Sequence, residues 1–369
     1  MFDPYKALYL HIPFCKKRCA YCDFETRAIP PDSPVVSEYV ESLVLAIRRA
    51  SKEGKLAQVE TVYLGGGTPS HLGLGHLTDL LYALSTSLHL SDGVECSMEA
   101  NPESLTPEMV KDIWALGVNR LSIGVQSFND TILDTLGRIH NADDARQAVQ
   151  AAQSRFENVS IDLMCGIPGQ SFEDFNDSLK EAIGLGVSHV SVYPLTIEEG
   201  TPFEGWTASG KLEEVDQDFQ ALMMQMAAST LEAAGLMRYE VASYARPGYE
   251  CRHNMAYWTG KSYLGLGRSA VTMTQNGGKR MRTQDGEVIE ELDRRQMRAE
   301  DLMLAMRMTQ GISEEALREA TLLLPDAPLT FRELVRAGLV ERTNGRWQPT
   351  LTGWLCGNDL FARILDLAP

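Results

Sequence analysis

The sequence predicts an α/β fold, in which a partial (β/α)6 barrel precedes an α+β extension that ends in a winged-helix-like module. Short β-rich runs alternate with amphipathic helical segments over about 200 residues, a pattern typical of a parallel sheet covered by helices. Polar or glycine-rich clusters follow five of these runs, and the carboxyl ends of parallel strands form the active-site face of such folds. Six units, rather than eight, predict an open barrel.

Six β-rich runs supply the strands of the predicted barrel. In chain order they are 7–13, 59–67, 95–102, 119–127, 157–168 and 189–198. The predicted helices lie near 34–54, near 74–88, after Thr106, up to about 155, and near 172–186. We expect right-handed crossovers between the parallel strands.

The pattern changes after about residue 200. An acidic helix near 213–234 precedes a strand-like run at 239–245 and a polar–aromatic stretch at 251–267. Residues 275–287 predict a hairpin or loop, and the chain is helical from about 294 onwards. Its last part predicts a small helix–turn–helix followed by a two-stranded wing. We therefore divide the chain into three domains at 1–205, 206–290 and 291–369.

Composition and charge restrict the class of protein. The chain has 369 residues, 34 of them basic and 50 acidic, so its formal net charge is −16. This acidic balance argues against a nucleic-acid partner. No apolar run approaches the ~18 residues of a membrane span, and the N-terminal sequence lacks the features of a signal peptide. We expect a cytoplasmic protein without a membrane span.

Three of the seven cysteines stand close together in the motif CKKRCAYC, at Cys15, Cys19 and Cys22. An odd number of cysteines in a cytoplasmic chain argues against a disulfide framework. Three thiolates without a fourth ligand nearby favour a 4Fe–4S cluster with one iron open to an exchangeable ligand. A zinc site is the alternative, although a structural zinc commonly has a second ligand pair close by.

The motifs resemble those of a known superfamily. CKKRCAYC after a strand, together with GGGTP at 65–69, is similar to the signature of the radical S-adenosylmethionine (SAM) proteins. Within that superfamily YLHIPFCKKRCAYCDF, GVQSFND, YPLTIEEGTPF and HNMAYW resemble the HemW haem chaperones, which are relatives of the oxygen-independent coproporphyrinogen III oxidases. The resemblance covers about residues 5–365 and implies a radical SAM barrel.

The resemblance also implies a cofactor site. It assigns a 4Fe–4S cluster to Cys15, Cys19 and Cys22, and SAM to the open iron. The residues that it places around SAM are Tyr9, Tyr21, Gly65, Gly66, Gly67, Thr68, Glu99, Gln126, Arg138 and Asp162. Taken singly, the glycines also suit a turn, the two carboxylates suit helix caps, and the arginine suits a solvated helix.

For haem, the resemblance favours His253 of HNMAYW as the axial ligand, with Tyr257 and Trp258 over the porphyrin. Cys251 is a rival thiolate ligand. From chemistry alone, a hydrogen-bonded structural histidine in a packed aromatic motif is the stronger interpretation.

Three functions follow from these observations. The first is a haem chaperone that passes haem to acceptor proteins, such as those at the respiratory membrane, and takes electrons from flavodoxin or ferredoxin. The second is a coproporphyrinogen III oxidase, and the third is a non-catalytic cluster protein. Phe24 occupies the position of the oxidases' fourth cysteine, and six residues precede Ala7 where the oxidases carry a long extension. Both departures, with HNMAYW, favour the chaperone.

Overall fold

The structure, a computed structural model, describes residues 2–88 and 93–369. Its first part is an alternation of strands and helices. In chain order these are β1 (Ala7–Ile12), β2 (Phe14–Cys15), β3 (Arg27–Ala28), α1 (Pro34–Lys52), β4 (Thr61–Gly66), α2 (Gly73–Leu88), β5 (Glu95–Ala100), α3 (Pro107–Ala115), β6 (Arg120–Gln126), α4 (Asp130–Leu136), α5 (Ala142–Gln153), β7 (Asn158–Cys165), α6 (Phe172–Gly184) and β8 (His189–Pro194). The six predicted barrel strands are confirmed.

The extension continues the same sheet. Its elements are α7 (Pro202–Ala208), α8 (Gln217–Ala233), β9 (Met237–Arg238), β10 (Ser243–Ala245), α9 (Arg252–Trp258), β11 (Tyr263–Leu266), β12 (Val271–Asn276), β13 (Lys279–Gln284) and β14 (Glu287–Asp293). The remainder is α10 (Arg294–Ala305), β15 (Ile312–Ser313), α11 (Glu314–Ala320), α12 (Ala327–Arg336), β16 (Val340–Thr343), β17 (Arg346–Pro349), α13 (Leu351–Leu355) and α14 (Gly357–Leu365). In the described part of the chain, no helix is long and apolar enough to cross a membrane.

Twelve strands form one sheet in the order β14-β13-β12-β11-β1-β4-β5-β6-β7-β8-β10-β9. The strands from β1 to β8 in this order pair in parallel, as the sequence predicts. The sheet also contains a parallel strand that the sequence analysis did not predict, because β11 pairs with β1 at the edge of the barrel. Its four residues lie in a polar–aromatic stretch that carries no strand periodicity.

Of two other expectations about the extension, the strand at 239–245 needs correction and the hairpin at 275–287 is confirmed. The run at 239–245 was expected to be one strand, but only Ser243–Ala245 pairs with β8, antiparallel, and Met237–Arg238 pairs back onto it. The region 275–287 is part of two hairpins, β12–β13 and β13–β14. Asp285 and Gly286 form the second turn with φ of 49° and 89°, which Asp–Gly pairs adopt readily.

Alternation along the strands separates a hydrophobic outer face from a polar interior. On β6, Leu121 and Ile123 are fully buried against the surrounding helices. The alternate residues Arg120, Ser122 and Gly124 lie on the opposite face of the strand. Ser122 pairs in register with Glu99 on β5, and Gly124 pairs with Asp162 on β7. The interior of this barrel therefore holds polar and charged groups rather than the branched apolar side chains of a closed barrel.

Local signals begin and end the helices that surround the site. Asn141 with Asp144 begins α5 and Ser171 with Asp174 begins α6, each pair forming a capping box. The short helix α4 ends at Gly137, which has φ of 75°. That left-handed residue turns the chain so that Arg138 points back over the barrel mouth.

The C-terminal module has its own apolar core, which includes Phe331 and Ile364. Helices α11 and α12 precede the β16–β17 hairpin, whose turn is Asn344–Gly345, and β15 completes a three-stranded sheet. This is the winged-helix-like arrangement that the sequence predicts. The domain limits at 205 and 290 remain a prediction, and the large sheet runs across the first of them.

Candidate cofactor site

The cysteine motif forms a loop between β2 and β3, at the carboxyl end of β1. Cys15 is buried at the end of β2, and Cys19 and Cys22 are half-buried. The loop is fastened from two sides, because the Ala20 amide donates to the Leu136 carbonyl over 3.1 Å and the Ala20 carbonyl accepts from the Phe203 amide over 3.1 Å. Burial raises the pKa of the Cys15 and Cys22 thiols.

Two polar side chains contact the sulfurs. Thr68 Oγ1 donates to Cys15 Sγ over 3.4 Å, and Arg138 Nη1 donates to Cys19 Sγ over 3.5 Å. Donors of this kind stabilise thiolates. Among residues 2–88 and 93–369, no three Cys, His, Asp or Glu side chains converge closely enough to hold a single metal ion.

The cysteines open into a cavity of about 340 Å³ at the carboxyl ends of the strands, which we call the SAM cavity. Nine of the ten residues assigned to SAM by resemblance are near one another, and most line this cavity. Those that line it are Tyr21, Gly66, Gly67, Thr68, Glu99, Gln126, Arg138 and Asp162. Gly65 lies just below, at the end of β4, where an added Cβ would come within 3.0 Å of the Glu99 carboxyl group.

The glycine motif is required by the protein's own packing. Gly66 has φ of 113°, and a Cβ there would lie 2.5 Å from the His11 ring. A Cβ on Gly67 would lie 2.7 Å from the Phe14 carbonyl oxygen. The resemblance places these glycines around SAM, and the contacts of an added Cβ give a second, steric reason for them within the chain itself.

Glu99 and Asp162 are half-buried carboxyl groups in the cavity wall. Glu99 accepts from the Tyr63 hydroxyl and from the Gly66 amide, both over 2.9 Å. Burial raises the pKa of Glu99 to about 7 and that of Asp162 to about 6. Ser122 donates to the Asp162 carboxylate over 3.3 Å. Each carboxylate would gain from a cationic or hydroxyl-bearing ligand, because burial opposes its charge.

The pairing of β6 with β7 is interrupted by a β-bulge between Gly124 and Gln126. Gln126 adopts φ of 65° there. A non-glycine residue in this region stores backbone strain, and such residues cluster at functional sites. The bulge turns this side chain into the SAM cavity. The sequence motif GVQSFND located the residue, but only the backbone shows why it points inwards.

Asn101 and Tyr63 were missed by sequence reasoning. Asn101 Nδ2 donates to Thr68 Oγ1 over 2.9 Å, and its Oδ1 accepts from Arg138 Nη2 over 2.8 Å. It thereby joins the residues that contact Cys15 and Cys19. The position of Asn101 directly after β5 was the available signal, whereas nothing in the sequence marks Tyr63.

Tyr9 does not line the SAM cavity. It lies on the wall of a second cavity, of about 590 Å³, that shares Phe24, Gly66 and Glu99 with the first. We call this the aromatic cavity, and Tyr257 and Trp258 of HNMAYW also line it. The Tyr9 hydroxyl lies 3.0 Å from His11 Nδ1.

His253 lies inside the barrel, behind Tyr257, and lines neither of these two cavities. Its side chain is 1% exposed, Nδ1 lies 2.9 Å from Thr61 Oγ1, and Nε2 lies 3.0 Å from the Tyr257 hydroxyl. Burial lowers its pKa to about 3, so the ring is neutral. Neither nitrogen is free for iron in this arrangement, and the haem-ligand role of His253 stays a prediction without structural support.

The segment around His253 is held by a buried carboxylate. Glu95, at the start of β5, accepts from the backbone amides of Arg252 and His253 over 3.0 Å each. Cys251 is fully buried beside it, and burial raises the pKa of this thiol to about 12. The rival ligand Cys251 is therefore a protonated, enclosed thiol.

The cysteine loop, glycine turn and open barrel define a protein of the radical SAM class. A model of the Radical SAM superfamily matches residues 9–182, and a model of the HemN C-terminal domain matches residues 292–356. The structure of coproporphyrinogen III oxidase (HemN) from Escherichia coli, described as a radical SAM enzyme, has the same fold. It aligns with a TM-score of 0.80 and 20% identity, covering 99% of this chain and 90% of that one.

Curated relatives identify the family. Heme chaperone HemW of Bacillus subtilis is 34% identical and covers 98% of this chain and 99% of its own length. Heme chaperone HemW of Synechocystis is 34% identical over 92% of this chain and 85% of that protein, and the Escherichia coli protein is 38% identical over 72% and 70%. The chain therefore belongs to the HemW family.

Proposed function

We propose that this protein binds haem and delivers it to acceptor haemoproteins, and that it carries a 4Fe–4S cluster and SAM. The observation that carries the proposal is the likeness to haem chaperones over nearly the full length of both chains. That likeness includes the extension with HNMAYW as well as the barrel.

The cofactor part of the proposal rests on the fit of the residues. Cys15, Cys19 and Cys22 supply three thiols at the mouth of the barrel, with hydrogen-bond donors on two of them. When bound, the cluster supplies an electron that can cleave SAM to methionine and a 5′-deoxyadenosyl radical. A SAM-sized ligand would fit against the cavity of about 340 Å³ beside them.

The chain's own groups then position SAM and exclude water. Arg138 offers a guanidinium for its carboxylate, and Asp162 offers a carboxylate for its ribose hydroxyls. Gln126 and Glu99 supply polar atoms for the amine or ribose. The sulfonium cation gains from the two carboxylates in the cavity wall, because a nearby positive charge stabilises their ionised forms.

The partners in this proposal are haem, haem-acceptor proteins such as those at the respiratory membrane, and a reductant such as flavodoxin or ferredoxin. We place the protein in the cytoplasm. The net charge of −16 suits this chain to protein acceptors with basic surfaces.

Coproporphyrinogen III oxidation is the second candidate, because the HemN structure shares the whole fold. Phe24 opposes it: this side chain is 60% exposed between the two cavities, where the oxidases' pattern has a cysteine. An apolar ring there cannot supply a thiol.

Both candidates are tested on one sample. After anaerobic cluster reconstitution, the protein is titrated with haem and assayed with coproporphyrinogen III, SAM and a reductant. We expect about one haem per chain, with transfer to an apo-haemoprotein, and no decarboxylation. Release of CO2 with accumulation of protoporphyrinogen, without haem binding, would instead establish the oxidase.

A further inference from the structure

The aromatic cavity has the size and lining for a flat, largely apolar molecule. Its volume is about 590 Å³, within the range of small-molecule sites. Its aromatic and apolar walls come from Tyr9, Tyr257, Trp258, Tyr263, Val271, Met273 and Leu304. Arg282 brings a cation to this cavity, paired with Glu290 and with Glu300.

Two tyrosines that line this cavity pair their hydroxyl groups with buried histidines. Tyr257 contacts His253 Nε2, and Tyr9 contacts His11 Nδ1, each over 3.0 Å. A phenol can ligate ferric haem as its phenolate. The phenol needs an acceptor for its proton before it binds iron, and the phenolate is stabilised by a donor afterwards. A suitable histidine must therefore be able both to accept the phenol proton and to donate a hydrogen bond to the phenolate.

The two histidines differ in this ability. His11 Nε2 lies 3.1 Å from the Glu25 carbonyl, which only accepts, so Nε2 carries the ring proton and Nδ1 stays an acceptor. His253 Nδ1 instead faces the Thr61 hydroxyl, which can both donate and accept. The neutral His253 ring can thus accept from the Tyr257 phenol in one tautomer and donate to its phenolate in the other.

Burial raises the pKa of the Tyr9 and Tyr257 phenols alike, so the hydrogen-bond partner rather than charge separates the two tyrosines.

We propose that the aromatic cavity is the haem site of this chain, with Tyr257 as the axial ligand and His253 as the positioning residue whose tautomer follows the state of the phenol. The proposal rests on the haem-binding function proposed above. Trp258 and Tyr263 flank the ligand, and a haem propionate displaces the half-exposed Glu290 from Arg282. The motif HNMAYW then places the His–Tyr pair four residues apart on one helix face.

The ligation step balances without a redox partner. The bond between ferric iron and the Tyr257 oxygen forms, the bond between iron and a water molecule breaks, and that water leaves. The phenol proton moves to His253 Nε2, and the ring returns to its neutral form by losing the proton on Nδ1, which ends in solvent. The iron stays ferric, and one proton is lost overall.

The test uses the full-length protein with ferric haem in the absence of reductant. Visible absorption, resonance Raman and electron paramagnetic resonance report phenolate ligation of high-spin ferric iron. Tyr257→Phe removes one oxygen and should abolish the phenolate signature and lower haem affinity by about tenfold or more. Tyr82→Phe, on the exposed face of α2, is the control and should keep the parental spectrum.

A second pair of variants tests His253 through its partner. Thr61→Val removes the hydroxyl that allows both tautomers and should shift the phenolate bands and weaken haem binding. Thr61→Ser restores the hydroxyl and should restore the parental spectrum. A purely structural role for Thr61 would move the melting temperature without moving these bands, and that result would overturn the role of His253.

The outcomes separate this inference from the proposed function. If the parent protein binds no haem, both fail. If the parent binds haem and Tyr257→Phe keeps an unchanged spectrum, haem binding stands and the Tyr257 assignment is overturned. Loss of the signature in Tyr9→Phe, but not in Tyr257→Phe, would move the ligand to Tyr9.

Discussion

At the scale of single residues, Asn101 shows how the site is assembled. Its side chain connects Thr68, which contacts Cys15, to Arg138, which contacts Cys19. The sulfurs are therefore positioned by one hydrogen-bonded chain that crosses three strand ends. The site also holds two carboxyl groups with raised pKa values, because Glu99 and Asp162 line the cavity and are largely removed from water.

The cluster is tested by replacing its ligands. Alanine at Cys15, Cys19 or Cys22 should abolish the cluster's broad visible absorption and leave haem binding less affected, since the aromatic cavity does not include these residues. Iron and sulfide analysis after anaerobic reconstitution measures the loss. Cys356→Ala, at an exposed cysteine, is the control and should keep its cluster. A full cluster in the triple variant would contradict the assignment.

SAM binding is tested at Asp162. Asp162→Asn keeps the shape of the side chain but removes the charge, so SAM affinity should fall by about 1–3 kcal/mol while the cluster remains. Calorimetric titration gives the affinity, and iron content verifies the cluster. Asp177→Asn, on the exposed face of α6, should bind SAM like the parent. Equal affinity in all three proteins would remove Asp162 from the site.

The raised pKa of Glu99 predicts how the stability of the folded protein changes with pH. Its pKa is raised from 4.5 to about 7 by burial, so the folded state holds a proton that the unfolded state has released. Its contribution to stability is therefore present below about pH 4.5 and is lost as pH rises to about 7. Glu99→Gln should be more stable relative to the parent at pH 8 than at pH 5, by up to about 3 kcal/mol.

Denaturant unfolding of the cluster-free protein at both pH values measures this difference. The exposed Glu38→Gln, on α1, serves as the control and should show the same difference from the parent at both values. A Glu99→Gln profile parallel to that of the parent would mean that Glu99 is ionised in the folded protein at pH 5.

At the scale of elements, the short helix α9 is held against β4 and β5 by specific contacts. Glu95 accepts from two of its first amides, and the His253 ring lies 5.1 Å from that of Tyr63. A carboxylate at a helix N-terminus also interacts favourably with the helix dipole. This short helix owes its place to tertiary contacts, because seven residues are too few to be stable alone.

Removing the carboxylate should loosen this helix. Glu95→Ala leaves two buried amides without acceptors and should lower the free energy of unfolding by about 2–4 kcal/mol. Hydrogen exchange of α9 should rise more than that of β7, which lies across the barrel. As the control, Glu315→Ala in the first turn of α11 removes an exposed carboxylate and should cost less than about 1 kcal/mol. Equal exchange in α9 before and after the change would contradict the role of Glu95.

At the scale of the whole molecule, ion pairs join the large sheet to the C-terminal module. Arg280 on β13 is 2% exposed, donates to Glu300 and donates to Asp301 over 2.7 Å, and both carboxylates belong to α10. Arg282 also reaches Glu300, over 2.8 Å. On the opposite side of α10, the module packs through its separate apolar core. These charges therefore connect the wall of the aromatic cavity to the winged-helix-like part.

Breaking this connection should be costly. Arg280→Met leaves Glu300 without one of its cations in a buried setting and should destabilise the protein by about 3–5 kcal/mol. Differential scanning calorimetry measures the change. Arg342→Met breaks an exposed pair with Glu314 within the module and should cost about 1 kcal/mol or less. If the two variants melt alike, the network contributes no more than a surface pair.

The sequence by itself determined the features that depend on neighbours in the chain. Strand alternation, helix caps and turn residues are local, so the six barrel strands, the helices and the wing could be predicted, as could the cysteine loop and the glycine motif. Most of the SAM cavity followed because the carboxyl ends of parallel strands meet on one face.

Tertiary structure decided what depends on distant pairing. The strand β11 exists because β1 offers it an edge, and Tyr63 and Asn101 acquire their roles from partners on other strands. Tyr9 lines the aromatic cavity, and the ring of His253 is enclosed between Thr61 and Tyr257, 192 and 4 residues away in the chain. Burial and hydrogen-bond partners set the chemistry of such groups, and neither is written in the local sequence.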